Sequence, residues 1–281
     1  SDLEFLVIAY LDAGEREATI RLAAPIDRAT LEADFADHIE SRERIEWSSG
    51  EQAVVAQRER WLGALKLEAR RLDKPDSARI TRALLEGIRE LGLGSLPWTK
   101  EARALQARMQ FVRQHDTRSA TPWPAVSDDD LLRTLEDWLA PWVEGMTRRD
   151  HWSKLDLHAA LSALMDWNQQ QRLNELMPTH LAVPSGSRIP IDYSTSTPTV
   201  AVRLQEVFGM RETPLIAGVP LTLELLSPAH RPVQVTRDLA SFWSRGYPEV
   251  KRELKGRYPR HYWPDDPLSA QATARAKPRG T

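Results

Sequence analysis

The apolar residues change their spacing twice along the chain, and that change excludes any fold built from one kind of element. Residues 4–10, Glu-Phe-Leu-Val-Ile-Ala-Tyr, and 18–24, Ala-Thr-Ile-Arg-Leu-Ala-Ala, read as two strands, with Asp12 to Glu15 in the turn between them. From Ser77 the apolar residues recur every third or fourth position, as in Ile80, Leu84, Ile88 and Leu91. Beyond Pro178 the short β pattern returns, with Leu181-Ala182-Val183 and Ile189-Pro190-Ile191 flanking a Pro184-Ser185-Gly186-Ser187 loop. The class is therefore α+β.

The first 72 residues read as strand, strand, helix, strand, strand. Leu31, Phe35 and Ile39 give a short amphipathic helix over 29–39, and strands follow over 42–47 and 52–57. The stretch 58–72 fits either a long closing strand or the first helix of the next unit. This order predicts an OB-like β-barrel over 1–72, partial or complete, in the order a five-stranded OB barrel shows once its first strand is removed. A helical connector follows over 73–178. Its helices run over 77–91, closed by Gly92, over 99–114, over 131–142 and over 155–167. Ser127 caps the third of these, and Asp128, Asp129 and Asp130 complement its dipole. Trp138, Trp142 and Trp167 fall on apolar faces and are expected in the core.

A mixed α+β domain is expected over 179–267. After the hairpin, Pro198 opens a helix through Arg203 and Phe208, closed by Gly209. Residues 221–225 and 233–235 are strands, and Thr236 caps a helix carrying Leu239, Phe242 and Trp243. The tail 268–281, rich in Ala, Thr, Arg and Lys, reads as disordered.

Several chemistries are excluded or left without support. The chain has no Cys, so it holds neither a disulfide nor a thiolate metal site, and a cytoplasmic location fits. No run of about 18 apolar residues is present to cross a membrane, and no membrane partner is expected. Ser1-Asp2-Leu3-Glu4 lacks an initiating Met and a basic segment leading into an apolar stretch, which predicts a non-native start and no signal peptide. No Gly-x-x-x-x-Gly-Lys-Ser/Thr loop and no Asp-Glu-Ala-His box occurs, so no catalytic residue for phosphoryl transfer is assigned. His151 and His158, with Asp150 and Asp156 beside them, read as solvent or capping residues; no metal site and no cofactor is assigned to this chain.

What remains is charge. Residues 228–281 hold eleven Lys/Arg against five Asp/Glu, a net of +6, whereas residues 1–76 hold eleven against seventeen, a net of −6. The basic end therefore suits a polyanion. Within it, Lys251, Arg252, Lys255, Arg257, Tyr258, Arg260 and His261 interleave cations with rings. That combination can neutralise phosphates and stack on unpaired bases. Trp47 and Trp61, in the barrel region, are further candidates for base stacking.

The terminal block Arg231-Pro232-Val233-Gln234-Val235-Thr236, then Asp238-Leu239 and Phe242-Trp243, closely resembles that of the HrpB-type bacterial DEAH-box helicases. Gly256-Arg257-Tyr258-Pro259-Arg260-His261 and Trp263-Pro264-Asp265-Asp266-Pro267 continue the match, as do Ile191-Asp192-Tyr193 and Ala201 through Gly209. Leu96-Pro97-Trp98 and Trp123-Pro124 are earlier landmarks. The resemblance implies a parent with two RecA-like motor domains, a winged helix, a ratchet-type helical domain, an OB fold and a family-specific extension. It implies that ATP and Mg act in motor domains this chain lacks, so the chain alone turns over no ATP. Single-stranded RNA or DNA and the parent's own motor domains are the partners it implies. The rival reading is a protein-interaction module, contacting another partner or those motor domains through the basic end.

Overall fold

The computed structural model describes residues 4–13, 18–117, 119 and 121–278. They divide into two compact units, each taking two stretches of chain: residues 1–91 with 143–152, and residues 92–142 with 153–281. Among the described residues, no helix is long and apolar enough to cross a membrane.

In the first unit, β1 (Phe5–Ala13) and β2 (Ala18–Ile26) form an antiparallel hairpin whose register slips between Ile8 and Leu11. The helix α1 (Arg28–Asp34) is capped by Asp27, whose carboxylate accepts from the Thr30 N–H at 2.8 Å. It is shorter than the apolar spacing predicts, because Ala36–His38 tightens into a 3-10 turn and Ile39 already opens the next strand. Then β3 (Ile39–Ser48), β4 (Ala53–Leu62) and β5 (Leu65–Arg71) make an antiparallel meander in that order. The stretch 58–72 is therefore strand on both sides of a turn, where Gly63 takes the left-handed φ of +58°.

The expected complete barrel is corrected: among the described residues the strands form a hairpin and a separate three-stranded sheet, with no closed barrel. In β3, Ile45 and Trp47 alternate with Arg44 and Glu46, so one face seeks a core and the other seeks water. Helix α2 (Ser77–Leu91) covers the apolar face, burying Ile80, Leu84, Leu85 and Ile88. Residues 143–152 return to the same unit. The Val54 N–H donates to the Thr147 carbonyl at 2.7 Å, and the Arg149 N–H donates to the Gln52 carbonyl at 2.9 Å.

The second unit begins with α3 (Lys100–His115), whose N-terminus is capped by Thr99 at 3.1 Å from the Ala102 N–H. Helix α4 (Asp128–Arg133) is capped by Ser127 and carries three Asp in its first turn, as the sequence predicts. The stripe of leucines and tryptophans after it is broken at Thr134, whose hydroxyl donates back to the Asp130 carbonyl at 2.9 Å. It continues as α5 (Leu135–Leu139) and a 3-10 turn at Ala140–Trp142. Helix α6 (Leu157–Ser162) starts at the cap Asp156 and ends early. Asp166 and Gln169 then form a reciprocal capping box that starts α7 (Trp167–Leu176). Trp167 is consequently a first-turn residue, 71% exposed, and its expected place in the core is corrected; Trp138, at 3%, is in the core.

Buried Arg108 of α3 ties these helices together. Its Nε donates to the Met177 carbonyl and its Nη2 to Asn174 Oδ1, both at 2.8 Å, so it caps the end of α7. Next, β6 (His180–Ala182) and β7 (Arg188–Pro190) form the predicted hairpin. The helix expected from Pro198 is corrected to a strand, β8 (Thr199–Arg203), followed by a 3-10 turn. Val200 and Val202 are buried on it, and their β-branched side chains suit a pleated surface. A small hairpin, β9 (Leu215–Ile216) and β10 (Val219–Pro220), leads into β11 (Thr222–Leu226) and β12 (Pro232–Thr236). The sheet order is β12-β11-β8, with β8 and β11 parallel.

The last helical segment is α8 (Leu239–Ser241), a π turn at Phe242–Gly246, and α9 (Tyr247–Arg257). Its cap is Asp238, accepting from the Ser241 N–H at 2.9 Å, and not the expected Thr236, whose hydroxyl bonds the backbone of Asp238. Residues 268–278 of the tail make backbone hydrogen bonds with the rest of the second unit. The Tyr262 N–H donates to the Ala276 carbonyl and the Thr273 N–H to the Gln205 carbonyl, and the Gln205 side chain bonds the Arg275 carbonyl. Composition predicts no core for this segment, but pairing with Gln205 and Tyr262 satisfies its backbone. Residues 279–281 lie outside the described residues.

Candidate nucleic-acid interface

The sequence singles out nine residues, and the structure sorts them by what each side chain already touches. Pro248 near the start of α9 fixes a helical φ, and Leu254 is buried, so the remaining positions of α9 turn their cations outward. Arg252, Lys255, Arg257 and Arg260 are exposed. Arg257 is within 3.2 Å of Glu253, one helical turn back, and both are more than half exposed, so this pair is weak and readily exchanged for phosphate. Lys251 differs. Its side chain is only 17% exposed and its ammonium is paired with Asp265, whose carboxylate it holds below the usual range. Tyr247, Pro248, Lys251, Arg252, Lys255 and Asp265 line a recess of about 340 Å³.

Tyr258 ends α9. Its N–H donates to the Leu254 carbonyl at 2.7 Å, its own carbonyl accepts from Trp263 Nε1 at 2.9 Å, and the residue is half-buried. Its ring meets the His261 ring edge to face at 6.0 Å. His261 Nδ1 is buried without a hydrogen-bonding partner among the described residues. Burial first, and the nearby charge of Arg203 second, push its pKa below 6.5, so His261 is neutral at pH 7 and adds no cation to the surface.

Trp47 and Trp61 part company. Trp47 stacks on Trp152, with ring centroids 5.9 Å apart and planes 17° from parallel. On α2, a methyl group placed on Gly87 would lie 2.2 Å from Cδ2 of the same ring. Trp47 therefore gives its ring to contacts with Trp152 and Gly87, while the half-buried residue still lines a recess with Arg79, Arg82 and Arg89. Trp61 is half-buried on the charged side of the meander. Its Nε1 donates to Glu59 at 2.9 Å, and Arg42 and Lys66 sit 5.9 and 5.8 Å from its ring. Burial pushes the Glu59 carboxyl up, but the Trp61 hydrogen bond and the charges of Lys66 and Arg44 outweigh it and hold the group ionised. Arg42 and Lys66 are absent from the nine sequence candidates. The signal that finds them is strand register, which sets Trp61 opposite Glu40 and Lys66.

Residues 138–267 match the model of the family described as "ATP-dependent helicase C-terminal". The whole chain is homologous to the C-terminal region of HrpB-type helicases. It is 41% identical to the ATP-dependent RNA helicase HrpB of Escherichia coli K12 over 98% of its own length, and it spans 34% of that protein. Among solved structures, the E. coli DExH-box NTPase HrpB matches with a TM-score of 0.70 and 40% identity, over 96% of this chain and 34% of that one. The E. coli DEAH/RHA helicase HrpB matches with a TM-score of 0.61 and 37% identity, over 92% and 32%.

Proposed function

We propose that this chain is the non-motor part of an ATP-dependent RNA helicase of the cytoplasm and gives it a contact surface for single-stranded nucleic acid. ATP and magnesium would act in segments outside the matched third. The observation that supports the surface is the row of exposed cations Arg252, Lys255, Arg257 and Arg260 on α9 and the turn after it. Exposed guanidinium and ammonium groups neutralise phosphates and release their counterions, and they do so for any sequence. Trp61, flanked by Arg42 and Lys66, supports a second contact on β3 to β5, which would be the open remnant of an OB-like array.

The test is a salt titration of single-stranded RNA binding. Arg257→Ala and Arg260→Ala should each weaken every oligonucleotide similarly and reduce the slope of log affinity against log salt by about 0.7. Tyr258→Ala separates two roles. A stacking ring costs about 1–3 kcal/mol of affinity on removal. A ring that only anchors the chain end lowers the melting temperature and leaves affinity unchanged. Unchanged affinity in all three variants would give this edge to a protein partner instead.

A further inference from the structure

We propose that residues 273–277 form a pinned loop that sets Arg275 and Lys277 beside the cations of α9, adding two phosphate contacts to the single-strand surface. The alanine-rich segment from Leu268 to Pro278 carries two charged side chains, and both are basic. Such a composition has too few apolar groups to hold a place by packing. Hydrogen bonds to the interior hold it instead. Gln205, 2% exposed in the turn after β8, takes the segment at two points. Its carbonyl accepts from the Thr273 N–H at 3.0 Å, and its side chain donates to the Arg275 carbonyl. Thr273 is itself buried; its hydroxyl accepts from the Arg275 N–H at 3.0 Å and donates to the Lys277 carbonyl at 3.4 Å. The Tyr262 N–H closes the loop by donating to the Ala276 carbonyl at 2.9 Å.

None of these bonds uses the side chain of Arg275 or Lys277, and both residues are exposed. The point of attachment decides where they sit. Ala276 stands between the two cations and is bonded to Tyr262, which follows Arg260 by two residues, a span of at most about 7 Å. The loop therefore continues the row of Arg252, Lys255, Arg257 and Arg260 with two more cations. A free chain end would lose its conformational entropy on meeting a strand. Fixing the loop in the unbound protein removes that cost from binding, so each cation counts for more than it would on a loose tail. Gln205 is on this account a positioning residue, acting through the backbone of Thr273 and Arg275.

The inference rests on the reading of α9 as a single-strand surface, and the variants separate the two. Binding of the chain to single-stranded oligouridylate is measured against salt. Arg275→Ala with Lys277→Ala should weaken binding and reduce the slope of log affinity against log salt by about 1.4, two contacts at about 0.7 each. Gln205→Leu removes the donor to the Arg275 carbonyl. In that background the same two substitutions should lower the slope by less than half as much. Thr273→Val loosens the loop independently and should give the same result, so a folding defect in one background leaves the other to decide. An equal drop in slope with and without the pins overturns the proposal, because the cations would then act as an unplaced tail. An unchanged slope in the double variant overturns it too. Slopes that respond to Arg275 and Lys277 but not to Arg257 and Arg260 would strike the α9 row and keep the loop.

Discussion

The hairpin β1–β2 and the region around Phe208 are both rich in apolar residues, and they dispose of them in opposite ways. Phe208 is fully buried, with the rings of Trp243, Tyr247 and Tyr262 between 6.0 and 6.4 Å from its own. Its neighbours arrive from about 35 to 54 residues later in the chain, so this core is completed inside the second unit. The hairpin's β1 is an unbroken apolar run from Phe5 to Leu11, yet its leucines and valine stay exposed. Apolar and β-branched residues favour a strand; what covers it decides whether its side chains reach a core.

The sharpest way to break that comparison is to remove matched apolar groups from both places. Phe208→Ala should destabilise the chain by about 3–5 kcal/mol in denaturant unfolding. Leu22→Ala should stay within about 0.5 kcal/mol, as for any exposed site. Similar losses would mean that the hairpin is already covered in this chain. A middle effect is expected at Gly87, which shows that the first unit has a small core of its own. Gly87→Ala drives a methyl into the Trp47 ring and should cost about 1–3 kcal/mol, with a change in tryptophan fluorescence as the stack on Trp152 shifts. Unaltered fluorescence would place the strain elsewhere.

The smallest effect is a pH dependence. His261 has a folded pKa below its ordinary 6.5, so folding favours the neutral ring. Its contribution is complete above about pH 6.5 and is lost as pH falls through 6.5 toward the folded value, because the unfolded chain then binds the extra proton. Urea midpoints at pH 7.5 and 5.5 should therefore differ less in His261→Gln than in the unsubstituted chain. An equal difference would assign the acid sensitivity to other groups.

Local signals were legible in the sequence and distant ones were not. The Ser127 cap with its three aspartates and the β6–β7 hairpin each depend on residues within a few positions, and both appear where the spacing predicts. The segment after Pro198 reads as a helix in isolation because its reason for being strand β8 is β11, paired with it in parallel between residues 23 apart. The capping box Asp166–Gln169 was a readable signal that the leucine stripe of 155–167 obscured, and it displaced Trp167 from the core. Of the site, the cations of α9 were visible as composition. That Lys251 is committed to Asp265, that His261 is neutral and that Trp47 stacks on Trp152 all depend on contacts between segments. Trp61 acquired Arg42 and Lys66 by strand pairing, which single-sequence spacing does not fix.

The return of residues 143–152 to the first unit has a consequence for synthesis on the ribosome. The β3–β4–β5 meander and α2 are complete once Leu91 emerges, but Trp152, which stacks on Trp47, follows 61 residues later. At about 5–20 residues per second, that interval is roughly 3–12 s, and residues 92–142 of the second unit emerge within it. The nascent chain must therefore hold one unit open while the next begins to form, and the later-made indole closes the earlier-made sheet.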